Sequence, residues 1–277
     1  MARSIKEITA ISIIAFSILA GIKTSGAQVE PLESGDAINY AYATWVGSGY
    51  YRIGEQQAFI LRGNFSWTLR KWDEYDWGLE LLLPATIGWY NLSKLDDVGA
   101  ITFVPGLRLV YPVKENWWLK PYAQIGFGRD LSGGDTALIA GGGIKSLVVF
   151  PLKNDIELEL GNNLAYADNS ESDKSQVDNG FSMFEIGLNS RWPLNVTLLD
   201  RRTLLNVFFV YTDFLNEVVF FDADLFEDDL ARLYKFGISL EGRPEFSILG
   251  FEFRGVGLDV SFGKDYFGIG FNTGFPF

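Results

Sequence analysis

The chain has 277 residues, a formal charge of -12, no cysteine and no histidine. That composition excludes disulfides and thiolate-bound metal, and its acidity argues against nucleic acid as a partner. Hydrophobic residues reach 48% and there are 30 glycines, yet beyond the N-terminal region no apolar run attains the ~20 residues of a membrane-spanning helix.

Residues 1 to 27 carry Arg3 and Lys6, then an apolar run from Ile8 to Ala20, then small residues in "SGA". This layout predicts a secretory signal peptide cut after Ala27, since the apolar run is shorter than the ~20 residues a membrane anchor needs. Loss of three cations (Arg3, Lys6, Lys23) and one acid (Glu7) would move the charge from -12 to -14, leaving one domain over 28–277.

That domain alternates with period two. In "FILRGNFSWTLR" (59 to 70), Phe59, Leu61, Phe65, Trp67 and Leu69 share one face, and Arg62, Asn64, Ser66, Thr68 and Arg70 the other. Trp77, Leu79, Leu81 and Leu83 oppose Glu80; Ile156, Leu158 and Leu160 oppose Glu157 and Glu159. Twelve such segments are predicted: 38–50, 57–70, 77–90, 100–112, 117–129, 136–149, 154–167, 181–192, 202–213, 232–242, 249–262 and 266–277. The sixth, ninth and eleventh are weakest, which leaves ten as the alternative count. In the eleventh the register changes between Phe253 and Val256, where Gly255 could form a bulge. Lengths of ~11 to 14 residues exceed the usual ~5 to 6 of soluble strands and suit tilted membrane-crossing ones.

An even count puts both termini at one end. The near copies "YPVKENW" (111–117) and "FPLKNDI" (150–156) then fall in turns at the terminal, periplasmic end, and the long intervals 168–180 and 214–231 fall outside. The expected fold is all-β: a closed antiparallel transmembrane barrel. Its polar face carries Arg62, Arg70, Glu80, Arg108, Lys120, Glu157, Glu159, Glu185, Arg191, Lys235, Glu241 and Asp259. Inside a barrel these charges can pair across strands. Aromatic residues at segment ends (Trp72, Trp77, Trp89, Trp117, Trp118, Trp192) have the spacing of two interfacial girdles.

The last segment, "YFGIGFNTGFPF", keeps alternate apolar residues to Phe277, which predicts a lipid-facing stripe along its length. It resembles the assembly signal of bacterial outer-membrane barrels. The resemblance assigns Ile269, Phe271, Phe275 and Phe277 to that signal, with Thr273 and Pro276 departing from the common pattern. It implies a bacterial outer-membrane location, with outer-membrane lipids, the barrel-assembly machinery and periplasmic chaperones as partners. "GFPF" after "GVGLDVSFGKDYFGIGF" also resembles the end of solitary autotransporter-like barrels.

Enzymes built on such barrels depend on histidine as base or water-orienting group, and this chain has none. No enzyme activity and no cofactor are therefore expected. "AGGGIKS" (140–146) lacks the spacing of a phosphate loop, and the acidic "FDADLFEDDLARL" (221–233) lacks the glycine of a calcium loop. Two functions remain open: a narrow porin for small solutes, or a closed structural or interaction barrel similar to an autotransporter translocator.

Overall fold

The computed structural model describes residues 44–53, 56–73, 76–90, 99–131, 136–171, 180–198, 200–216, 231–248 and 251–277. The expected signal segment, residues 38–43 of the first predicted strand, and most of both long intervals, including the acidic stretch from 221 to 230, lie outside them.

The strands are β1 (Ser48–Ile53), β2 (Gln56–Arg70), β3 (Gly78–Tyr90), β4 (Ala100–Phe103), β5 (Gly106–Lys114), β6 (Trp117–Asp130), β7 (Thr136–Pro151), β8 (Glu157–Glu171), β9 (Phe181–Leu198), β10 (Arg201–Phe214), β11 (Arg232–Ile248), β12 (Phe251–Gly263) and β13 (Tyr266–Asn272). Neighbours pair antiparallel in chain order, and β1 pairs with β13, so the sheet closes. Both β4 and β5 lie between β3 and β6 and are halves of one stave, which makes twelve staves. The break falls at Val104–Pro105, because proline cannot donate to the ladder. Val104 N–H instead donates to the Pro84 carbonyl at 3.2 Å, and the Pro105 carbonyl accepts from Ile125 N–H at 3.0 Å.

Period-two patterning becomes an inside and an outside. On β9, Phe181, Met183, Glu185, Gly187 and Asn189 are buried, whereas Phe184, Ile186 and Leu188 are exposed. Cross-strand register aligns the outward residues into belts, such as Tyr211, Tyr234, Phe262 and Phe267 on β10 to β13. Among these, the Tyr234 and Phe262 rings stack at 5.7 Å. A closed ladder leaves no edge within such a belt.

The structure departs from the sequence reading in four places. Strand β1 begins at Ser48, and Thr44 and Trp45, which lie within the first predicted segment, are helical. The eleventh-segment irregularity sits in β11, where the residues between Glu241 and Phe246 oppose Arg254 alone, so Gly255 keeps its partner Glu241. The two near-copy turns diverge. Lys114 still belongs to β5, but Lys153–Asp155 forms a 3-10 turn with Asn154 and Asp155 at positive φ. The fourth departure is at the C-terminus: β13 stops at Asn272, and the residues after it leave the wall.

Candidate functional site

The site is the barrel interior. Inward positions alternate along every strand, so each candidate charge is placed by strand phase, and its partner is chosen by register. Cations gather on one arc: Arg62 on β2, Arg108 on β5, Lys120 on β6 and Lys145 on β7. Acids gather opposite, with the cations Arg191 on β9 and Lys235 on β11 among them: Glu157 and Glu159 on β8, Glu185 on β9, Glu241 on β11 and Asp259 on β12. Glu80 on β3 joins the basic arc and is held by Arg108, its cross-strand partner, at 2.5 Å.

Arg191 is the hub of the acidic arc. Its guanidinium reaches Glu159 at 2.8 Å, Glu241 at 2.7 Å and Glu157 at 3.3 Å, and its Nε donates to Asn206 at 3.1 Å. Asn189 donates to Glu159 at 2.7 Å, and Arg243 clamps Glu157 with bonds of 3.0 and 2.5 Å. Further along, Glu185 accepts from Asn163 at 2.8 Å and from Thr212 at 3.3 Å. Charges this deep persist only when paired and hydrogen-bonded.

Two pieces of chain outside the wall occupy the space between the arcs. Val46 is buried among Tyr51, Ala58, Ile60, Phe181, Phe214 and Leu233. Trp45 meets Phe214 edge-on at 5.5 Å, with the Lys235 ammonium 5.8 Å from its ring. Arg62 fixes this segment by donating to the Val46 carbonyl at 3.3 Å.

The second piece is the C-terminal tail. The Asn272 side chain donates to Asp259 at 3.2 Å and accepts the Gly274 N–H at 3.1 Å, which turns the chain inward. Gly274 has φ +121°, which side-chain-bearing residues rarely adopt, and a side chain there would also strike Glu241. Phe275 and Phe277 are then 5% and 4% exposed and pack with Leu147, Phe208 and Val210. Gly161 and Gly187 stand directly opposite each other, and a side chain at either would overlap the Phe277 ring. Lys145 donates to the Pro276 carbonyl at 2.6 Å. The outward stripe expected to face lipid therefore ends at Phe267, Ile269 and Phe271, which is 61% exposed, and does not include Phe275 or Phe277.

Two other expectations change. A register shift between Thr68 and Arg70 pairs Arg70 with outward Leu79, so Arg70 leaves the interior set, bonds Asp76 and lies 4.0 Å from the Trp77 ring. Trp118 points inward beside the tail instead of joining a girdle. Sequence reasoning also missed Lys145, Asn189, Asn206 and Arg243, whereas strand phase places Asn163 on the polar face with Glu157 and Glu159. Lys145 sits in a glycine-rich segment with two apolar faces, where periodicity gives no phase.

No family model and no curated protein sequence matches this chain. Among solved structures, the beta domain of the Bordetella autotransporter Brka is similar, with 14% identity over 81% of this chain and 94% of that one, at a TM-score of 0.49.

Proposed function

We propose that this chain is a bacterial outer-membrane β-barrel that works as a closed, non-conducting body, with its function in its wall and outer loops and not in passage of solute. The supporting observation is that Val46, Phe275 and Phe277 are buried inside the barrel, Trp45 packs half-buried against the Val46 cluster, and the Arg191 network lies on the wall beside the tail. The apolar exterior supports the membrane location, because hydrocarbon would cover the belts and the closed ladder would satisfy the backbone there. The lack of histidine supports a non-enzymatic role.

A narrow channel is the second reading, favoured by the gathering of Arg62, Arg108, Lys120 and Lys145 on the inner face of β2 to β7. Such a channel would need at least the tail to move aside. The barrel reconstituted in a planar lipid bilayer tests the choice. The closed body predicts insertion without unitary current steps, and uniform steps from the intact chain would establish the channel instead.

A further inference from the structure

Trp118, Lys120 and Tyr122 occupy consecutive inward positions on β6. Lys120 is only 9% exposed, and among the described residues it makes no hydrogen bond or ion pair. The buried Trp118 Nε1–H also lacks an acceptor. Directly across from Lys120 on β7 is Lys145, a second cation in register. Its ammonium gives one hydrogen to Pro276 and keeps two.

Both carboxylates near this patch are already engaged. Glu80 is held by Arg108, and Glu185 by Asn163 and Thr212. Two like charges face each other across a strand pair, an arrangement that destabilises a sheet unless something neutralises it. The patch thus offers donors from three side chains, and neither neighbouring carboxylate side chain is free to accept from them.

We propose that Lys120, Lys145 and Trp118 form a binding site for a small oxyanion of the phosphate or sulfate type, held inside the barrel next to the C-terminal tail. An oxyanion accepts several charge-assisted hydrogen bonds at once, which matches the free donors here. The site stands whether or not the barrel conducts, so its test is separate from that of the closed lumen.

The test uses the full chain refolded in phospholipid-free, non-ionic detergent, with inorganic phosphate titrated against gluconate at constant ionic strength. The wild-type urea midpoint should rise and saturate, as linkage requires for a ligand of the native state. Lys120→Met should abolish that rise, yet be at least as stable as wild type without phosphate, because it removes an unpaired buried cation. Lys235→Met, which changes the cation beside Trp45, should keep the full response. Trp118→Phe serves if Lys120→Met does not fold, and it should shift the half-saturating phosphate concentration severalfold upward. An unresponsive wild type, or equal responses from wild type and the Lys120 or Trp118 variant, would overturn the site. So would stabilisation that appears only when anionic phospholipid is added.

Discussion

Arg191 shows how much one residue can hold. It joins carboxylates from β8 and β11 and an amide from β10, so removing it would leave Glu157, Glu159 and Glu241 crowded and short of a counter-charge. We expect Arg191→Met to cost about 3–5 kcal/mol in reversible urea unfolding from lipid vesicles, the scale of breaking a buried ion pair. Arg70→Met should cost about 1 kcal/mol or less, since its bridge to Asp76 is solvent-exposed. A similar loss from both variants would refute this ranking. Strand phase in the sequence put Arg191 on the inner face. Its partners were not legible, because they depend on the register of β8 to β11, and residue spacing along one strand carries no information about register.

At the scale of the strand, each face should answer differently to charge. Ile125 lies outward near the middle of β6 and is 60% exposed. Ile125→Arg should cost about 2–4 kcal/mol in lipid if it lies at the bilayer midplane. Tyr122→Phe, on the inner face, loses only a long 3.4 Å bond to Asn163 and should cost about 1 kcal/mol. Equal tolerance in vesicle unfolding would reverse the assignment of faces. Most staves were legible because an apolar outer face and a charged inner face together produce period two. The C-terminal segment misled for the same reason. Phe271, Thr273, Phe275 and Phe277 keep their spacing while the chain leaves the wall, and a phenylalanine in an aromatic pocket looks like one in lipid. The signals of the change were Asn272, Gly274 and Pro276, a turn composition, together with Gly161 and Gly187 on the inner face.

For the whole molecule, the tail and the wall are one packing unit. Leu147, Gly161, Gly187 and Val210 form a single inward cross-strand row, and its glycine pair leaves the hollow that Phe277 fills. Burying each phenylalanine contributes about 1.5–3 kcal/mol. Deleting residues 273–277 should therefore lower stability measurably in vesicles and give current steps that the intact chain lacks. Gly187→Leu should mimic the deletion by occupying the space of the Phe277 ring. The most direct measurement uses the absence of native cysteine. In the double variant Gly161→Cys, Phe277→Cys the two β-carbons would begin 2.7 Å apart, well inside the ~3.8 Å of a relaxed disulfide, so residue 277 must move outward by about 1 Å as the bond forms. Mild oxidation of the folded, lipid-embedded barrel should link them nearly completely, while Gly161→Cys with outward Phe271→Cys stays unlinked. A terminal thiol that remains free in the first variant and is modified by a membrane-soluble maleimide would place the tail against lipid and contradict the closed lumen.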